Sequence, residues 1–194
     1  MVIKGNEVTD LSFLKNITQV AGDLNIDQTG VTSLNLDNLE SVGGDLIVYG
    51  NEKIKALDVP KILSIGRNLV LNGNRDLIEI SGFYEIVSIH HLAISDNWYL
   101  TTIPEFNKLE SLTETMQITE NTHLKEIRGF DSLVCATGIQ IHGNDDLVKI
   151  DAFHSVVKIL GTFGGLTITV NSSVESIEGF ESLEQVSYLI LSQN

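Results

Sequence analysis

One short phrase is written again and again along this chain. It reads "GGDLIVYGN" at residues 43–51 and returns as "AGDLNIDQTG", "GRNLVLNGN", "HHLAISDN", "TMQITEN", "GIQIHGN", "GLTITVN" and "YLILSQN". The phrase starts at Met1, Leu24, Leu46, Leu69, Leu92, Met116, Ile139, Leu166 and Leu189, in steps of 22 to 27 residues. Two residues on, every copy is aliphatic again, as in Ile26, Val48, Leu71, Ile94, Ile118, Ile141 and Ile168. Such alternation predicts a strand with one buried face. Five residues after each start stands Asn6, Asn51, Asn74, Asn97, Asn121, Asn144, Asn171 or Asn194, with Thr29 the one substitute.

Other columns keep the same phase. After the Asn come apolar pairs such as Leu77/Ile80 and Leu124/Ile127, which predict a second short strand. A Phe column follows at Phe83, Phe106, Phe130, Phe153 and Phe180. A period near 23 residues with no helix-length pattern belongs to a solenoid, in which each coil covers its core with the coils above and below. The expected fold is all-β: a right-handed parallel β-helix with leucine-rich-repeat character, about 8 coils of 22–27 residues. The Asn column predicts a buried hydrogen-bonded stack, and the Phe column a core ladder. Gly50, Gly73 and Gly143, just before Asn, predict turns with positive φ. Cys135 shares a column with Ser41, Ser64, Ser88 and Ser111, which predicts a small packing residue.

The consensus "GF..L..V.GDL.I..N..L..I.GF" resembles the receptor L-domain, the repeat-built lobe of insulin- and epidermal-growth-factor-type receptors. It is equally similar to leucine-rich surface proteins of bacteria and to fungal cell-wall proteins with that pattern. The resemblance covers essentially all residues, 1–194, read as a single solenoid domain. It implies a non-catalytic cell-surface or secreted module that binds a protein or glycan. The lone cysteine departs from the animal receptor lobes and points to the bacterial branch, hence to an extracellular or cell-surface place in a bacterium.

Composition removes other classes. The net charge of −14 opposes nucleic acid, whose phosphates it repels. No apolar stretch has the length of a membrane span in this segment. One cysteine permits no intrachain disulfide. No zinc, calcium-repeat, phosphate-loop or nucleophile-elbow motif occurs, so no cofactor is expected. The chain starts and stops on a strand without a polar capping repeat, which raises the expectation of a piece of a longer exported protein or of end-to-end self-association.

Outward strand positions carry the functional signal, because packing does not dictate them. Ile47, Tyr49, Val70 and Ala93 predict an apolar patch on a polar face, with Trp98 and Tyr99 in the turn at its edge. The 27-residue coil holds an insertion, "LGTFGG" at 160–165, with Phe163 at its tip as a further candidate contact. These seven residues are the candidate ligand site. Two other readings stay open. Asp96 and Glu120 share a turn position on adjacent coils, as a carbohydrate-active β-helix enzyme would use them. A purely structural spacer is the other. His123, Asp146 and His142 cluster nearby but are expected to hold no metal, and the strand face presents no cation beyond Lys4 to an anionic sugar.

Overall fold

The computed structural model describes residues 1–162 and 164–194. Nine parallel strands form one long sheet, with the repeated phrase as its strands: Val2–Lys4, Leu24–Asp27, Leu46–Tyr49, Leu69–Asn72, Leu92–Ser95, Thr115–Thr119, Gly138–His142, Leu166–Thr169 and Leu189–Ser192. The register is the one the repeat dictates, for example Leu46↔Leu69 and Leu69↔Leu92. Each coil then turns through its Asn to a second face and through its Phe to a third. The result is a β-solenoid of about eight turns. One short 3₁₀ helix, Ser12–Asn16, is the helical element among the described residues.

The second face is two three-stranded sheets, Leu34–Asn35 with Ala56–Val59 and Glu79–Gly82, then Glu126–Gly129 with Lys149–Ala152 and Ser176–Glu178. Residues 101–106 between them are not strand. Pro104 falls where the flanking coils have Ser81 and Arg128, and it has no N–H for the ladder. The third face carries two-residue strands, such as Ser111–Leu112.

The core is the stack of inward columns. Leu24, Leu46, Leu69, Leu92, Met116 and Ile139 are all fully buried, as are Phe83, Phe106, Phe130 and Phe153. The Phe rings stack coil on coil, with centroids 5.7, 5.2, 5.1 and 5.1 Å apart from Phe83 to Phe180. Phe83, Phe130, Phe153 and Phe180 adopt positive φ, a costly conformation for a bulky residue that ring burial offsets, complete for the first three and partial for Phe180.

The Asn column is the second internal ladder. Asn97 Nδ2 donates to the Leu71 carbonyl at 2.9 Å and to Asn121 Oδ1 at 3.2 Å. Its own Oδ1 accepts from the backbone N–H and Nδ2 of Asn74, at 3.1 and 3.2 Å. The same pattern runs from Asn51 to Asn194, and Thr29 enters it by donating its N–H and Oγ1 to Asn51 Oδ1. Every member from Asn51 to Asn171 is buried, so each side chain satisfies backbone groups that water cannot reach. Asn6 departs from the expected column. It is exposed, as is Asn194 at the other end, because each stands on a terminal coil that is covered on one side alone.

Cys135 corrects a second expectation. It keeps its register with Ser111, yet it is an exposed thiol rather than a packing residue. The inward members of that strand pair are Leu112 and Ala136, and alternation leaves the Ser/Cys column facing out.

Candidate functional site

The turn that ends each strand of the long sheet is set by one left-handed residue before the Asn. Gly50, Gly73 and Gly143 take φ of 63, 68 and 66°, as their residue type favours. Gln28, Asp96, Glu120, Val170 and Gln193 take φ of 51 to 57° in the same column. The Asn ladder holds the backbone there, so polar side chains project from the rim of the sheet at a conformation they would not choose alone. Asp96 and Glu120 are placed on the rim in this way.

Of the expected site, the long sheet brings Ile47 beside Val70 and Val70 beside Ala93, in one outward row. Ile47 and Val70 are half-buried. Ala93 is a correction, being only 5% exposed. Its single methyl lies between the longer Val70 and Gln117 on strands about 4.8 Å away, and they close over it. Tyr49 stands at the rim, 44% exposed, and borders a shallow depression of about 540 Å³ with Asn72 and Asp96. Trp98, 46% exposed, borders the next depression of about 400 Å³ with Asp96, Glu120 and Arg75. Asp96 belongs to both, so Tyr49 and Trp98 sit at the two ends of one rim. Phe163 lies outside the described residues.

Tyr99 does not join them. The turn carries it around the corner to the second face, where it lines a separate groove with Ile78, Thr101 and His123. His123 is the hinge between the two regions. Trp98 meets its ring edge-on at 6.1 Å, and Tyr99 lies tilted against it at 5.5 Å.

The polar neighbours pair among themselves. His123 Nδ1 lies 2.9 Å from Asp146 Oδ2, and Lys125 Nζ donates to the same oxygen at 2.7 Å. The Lys125 bond, and then the His123 one, hold the Asp146 carboxyl below its usual range. His142 places Nδ1 2.9 Å from the Thr169 hydroxyl and Nε2 3.4 Å from Glu120. Among the described residues no group of three or more His, Cys, Asp or Glu side chains is arranged to hold a metal ion. Sequence reasoning missed Arg75 at the rim and Lys55 and Lys125 beside Tyr99. Their columns mix residue types from coil to coil, so no periodic signal marks them.

The Receptor L domain family matches residues 1–85. The chain is also 24% identical to the cell wall protein ecm33 of Schizosaccharomyces pombe over 193 residues, covering 87% of this chain and 45% of that protein. The chain thus spans about half the length of the curated relative it matches. No solved structure matches it. The buried Asn and Phe ladders continue unchanged past residue 85, through the region that the cell-wall relative also covers. Residues 1–85 are thus similar to the Receptor L domain family, and the coils beyond them repeat the same columns.

Proposed function

We propose that this is a non-catalytic module of the cell surface or extracellular space that binds a protein or glycan at the rim of its long sheet. The carrying observation is the pair of exposed rings, Tyr49 and Trp98, at either end of a rim backed by Ile47 and Val70. Rings in such positions cost apolar exposure and do not contribute to the core, whose columns are already filled. Aromatic residues are also the commonest anchors of binding energy. The similarity to a cell wall protein supports the surface location. That relative is fungal, and nothing beyond the lone cysteine favours a bacterial source.

The carboxylates at the rim fit binding better than turnover. The nearest partner of Glu120 is His142 at 3.4 Å, and both side chains are about half exposed. A general acid is set in a pocket closed to water, and an open rim does not supply one.

An array of purified surface glycans and surface proteins, screened with wild type beside Tyr49→Ala and Trp98→Ala, tests the proposal. A ligand whose affinity falls about tenfold in each variant is expected, as for loss of an aromatic anchor. Binding that survives both substitutions together, or polysaccharide turnover abolished by Glu120→Gln, overturns it.

A further inference from the structure

The groove around Tyr99 lies on the second face, beyond the rim just described, and it gathers two lysines on an acidic chain. The chain carries 12 Lys and Arg against 26 Asp and Glu. Here two lysines, Lys55 and Lys125, bracket an apolar floor made by Ile78 and Tyr99, 45% and 44% exposed. The groove measures about 610 Å³.

Its layout follows from the repeat. Lys55, Ile78, Thr101 and Lys125 occupy one outward column, linked by backbone bonds from Ile78 N–H to the Lys55 carbonyl, Thr101 to Ile78, and Lys125 to Thr101. The two lysines are therefore three coils apart, roughly 14 Å at the backbone. Tyr99 lies in the adjacent column between them, its ring backed by His123. His123 is held in turn by Asp146, which also fixes Lys125. No ion pair or hydrogen bond engages the Lys55 ammonium among the described residues. The floor is thus rigid at one end, with an uncommitted cation at the other.

We infer that this groove binds an acidic oligosaccharide of about three residues, laid along the solenoid axis. The coil repeat is close to the repeat of a linear pyranoside chain, so successive sugars fall on successive coils. The apolar face of the central sugar stacks on Tyr99 and Ile78. Carboxylates or other anionic groups on the outer sugars reach Lys55 and Lys125. The groove has a lysine at each end, whereas the rim sets its one cation, Arg75, beside Asp96 and Glu120, so an acidic sugar is received here rather than there. Asp76, which also lines the groove, accepts from sugar hydroxyls.

Isothermal titration of the whole chain with a linear galacturonic acid trisaccharide, beside its neutral galactose counterpart, tests this. Binding of the acidic sugar is expected, weakened by added salt. Tyr99→Ala and Lys55→Ala are each expected to cut affinity about tenfold. Tyr49→Ala, at the rim, is expected to leave it unchanged, which separates this groove from the rim site. All three residues are exposed, so the variants keep the fold, and circular dichroism checks that they do. No binding of the acidic trisaccharide, equal binding of the neutral one, or full affinity in Tyr99→Ala overturns the inference.

Discussion

The long sheet runs unbroken through nine strands, whereas the second face of the same coils is cut into two sheets of three. Both faces are built from the same repeat and the same inward aliphatic columns. The difference lies in what stands at their edges. The long sheet ends, coil after coil, in the Asn ladder, which ties each turn to the one above through a buried side chain. The second face ends instead in the Phe ladder, which stacks rings without bonding the backbone, and it is interrupted at Pro104, which has no N–H. A ladder whose side chains bond the backbone of the next coil, rather than ring stacking, accompanies the continuous face.

Breaking the ladders separates their contributions. Phe130 stacks on Phe106 and Phe153 at 5.2 and 5.1 Å in the fully buried centre. Phe130→Ala is expected to cost about 3–5 kcal/mol, the range for a large ring removed from a core. Asn97→Ala is expected to follow at about 2–3 kcal/mol. It strands the Leu71 carbonyl and the Asn74 N–H, both buried, and each unsatisfied group carries a desolvation penalty. Urea unfolding followed by circular dichroism reads both. An Asn97→Ala chain as stable as wild type would show that the ladder is a consequence of stacking and not a cause.

Two substitutions sharpen the comparison in the opposite direction. Val170 is β-branched and sits at φ 57° in the column where Gly50, Gly73 and Gly143 sit. Val170→Gly is expected to stabilise by up to about 1 kcal/mol, since relief of left-handed strain exceeds the added chain entropy. No gain in thermal midpoint would mean that the Asn ladder has already relaxed this turn. Pro104→Ser restores the N–H that the neighbouring coils have at Ser81 and Arg128. It is expected to add no more than about 1 kcal/mol, because Glu105 still stands where Gly82 and Gly129 take positive φ. Slower amide exchange at residues 102–105 is the more sensitive readout.

Most of the fold was legible in the sequence, because each buried column recurs with the same residue type. The Leu, Ile, Asn and Phe columns fell where the spacing placed them, save that Leu100 and Ile103 form no strand beside Pro104 and that the last coil, with Leu189 and Leu191, is exposed. Two of the exceptions turn on neighbouring coils. Asn6 and Ala93 occupy correct columns, but their burial depends on the coils beside them, Asn6 lying on a terminal coil and Ala93 lying beneath Val70 and Gln117. A period gives the column and not the neighbour. The rim was partly legible, since Tyr49 and Trp98 break an otherwise polar pattern. The separation of Tyr99 from Trp98 was not. Consecutive residues in a turn can straddle a corner, and no periodicity reports on which side each falls.

The smallest expected effect concerns the corner after Phe, whose outer side is ionic where the Asn corner is buried and neutral. His154 follows Phe153 and reaches across two neighbouring coils, with Nδ1 3.0 Å from Glu181 and Nε2 4.0 Å from Asp131, besides 3.3 Å to Asp151 on its own coil. The hydrogen bond to Glu181, aided by the Asp131 charge, raises its pKa above the ordinary 6.5. A raised folded pKa means that the protonated ring stabilises the fold fully below 6.5, and that this contribution fades as pH rises through the folded value. The carboxylates act with the opposite sign. Asp151 is held low first by Lys149 and then by His154, and Glu181 first by its own backbone N–H and then by His154. Their contribution is present above the ordinary carboxylate values and is lost in acid. The cluster is therefore strongest between the ordinary pKa of Glu181, 4.5, and that of His154, 6.5. Its members are exposed or half-buried, so solvent screens the effect to a small one. Thermal midpoints of wild type and His154→Gln, compared at about pH 5.5 and about pH 8.5, isolate it from the other histidines. The wild-type advantage is expected at the lower pH and should vanish at the higher. An advantage that is equal at both would assign His154 a packing role between coils instead of an ionic one.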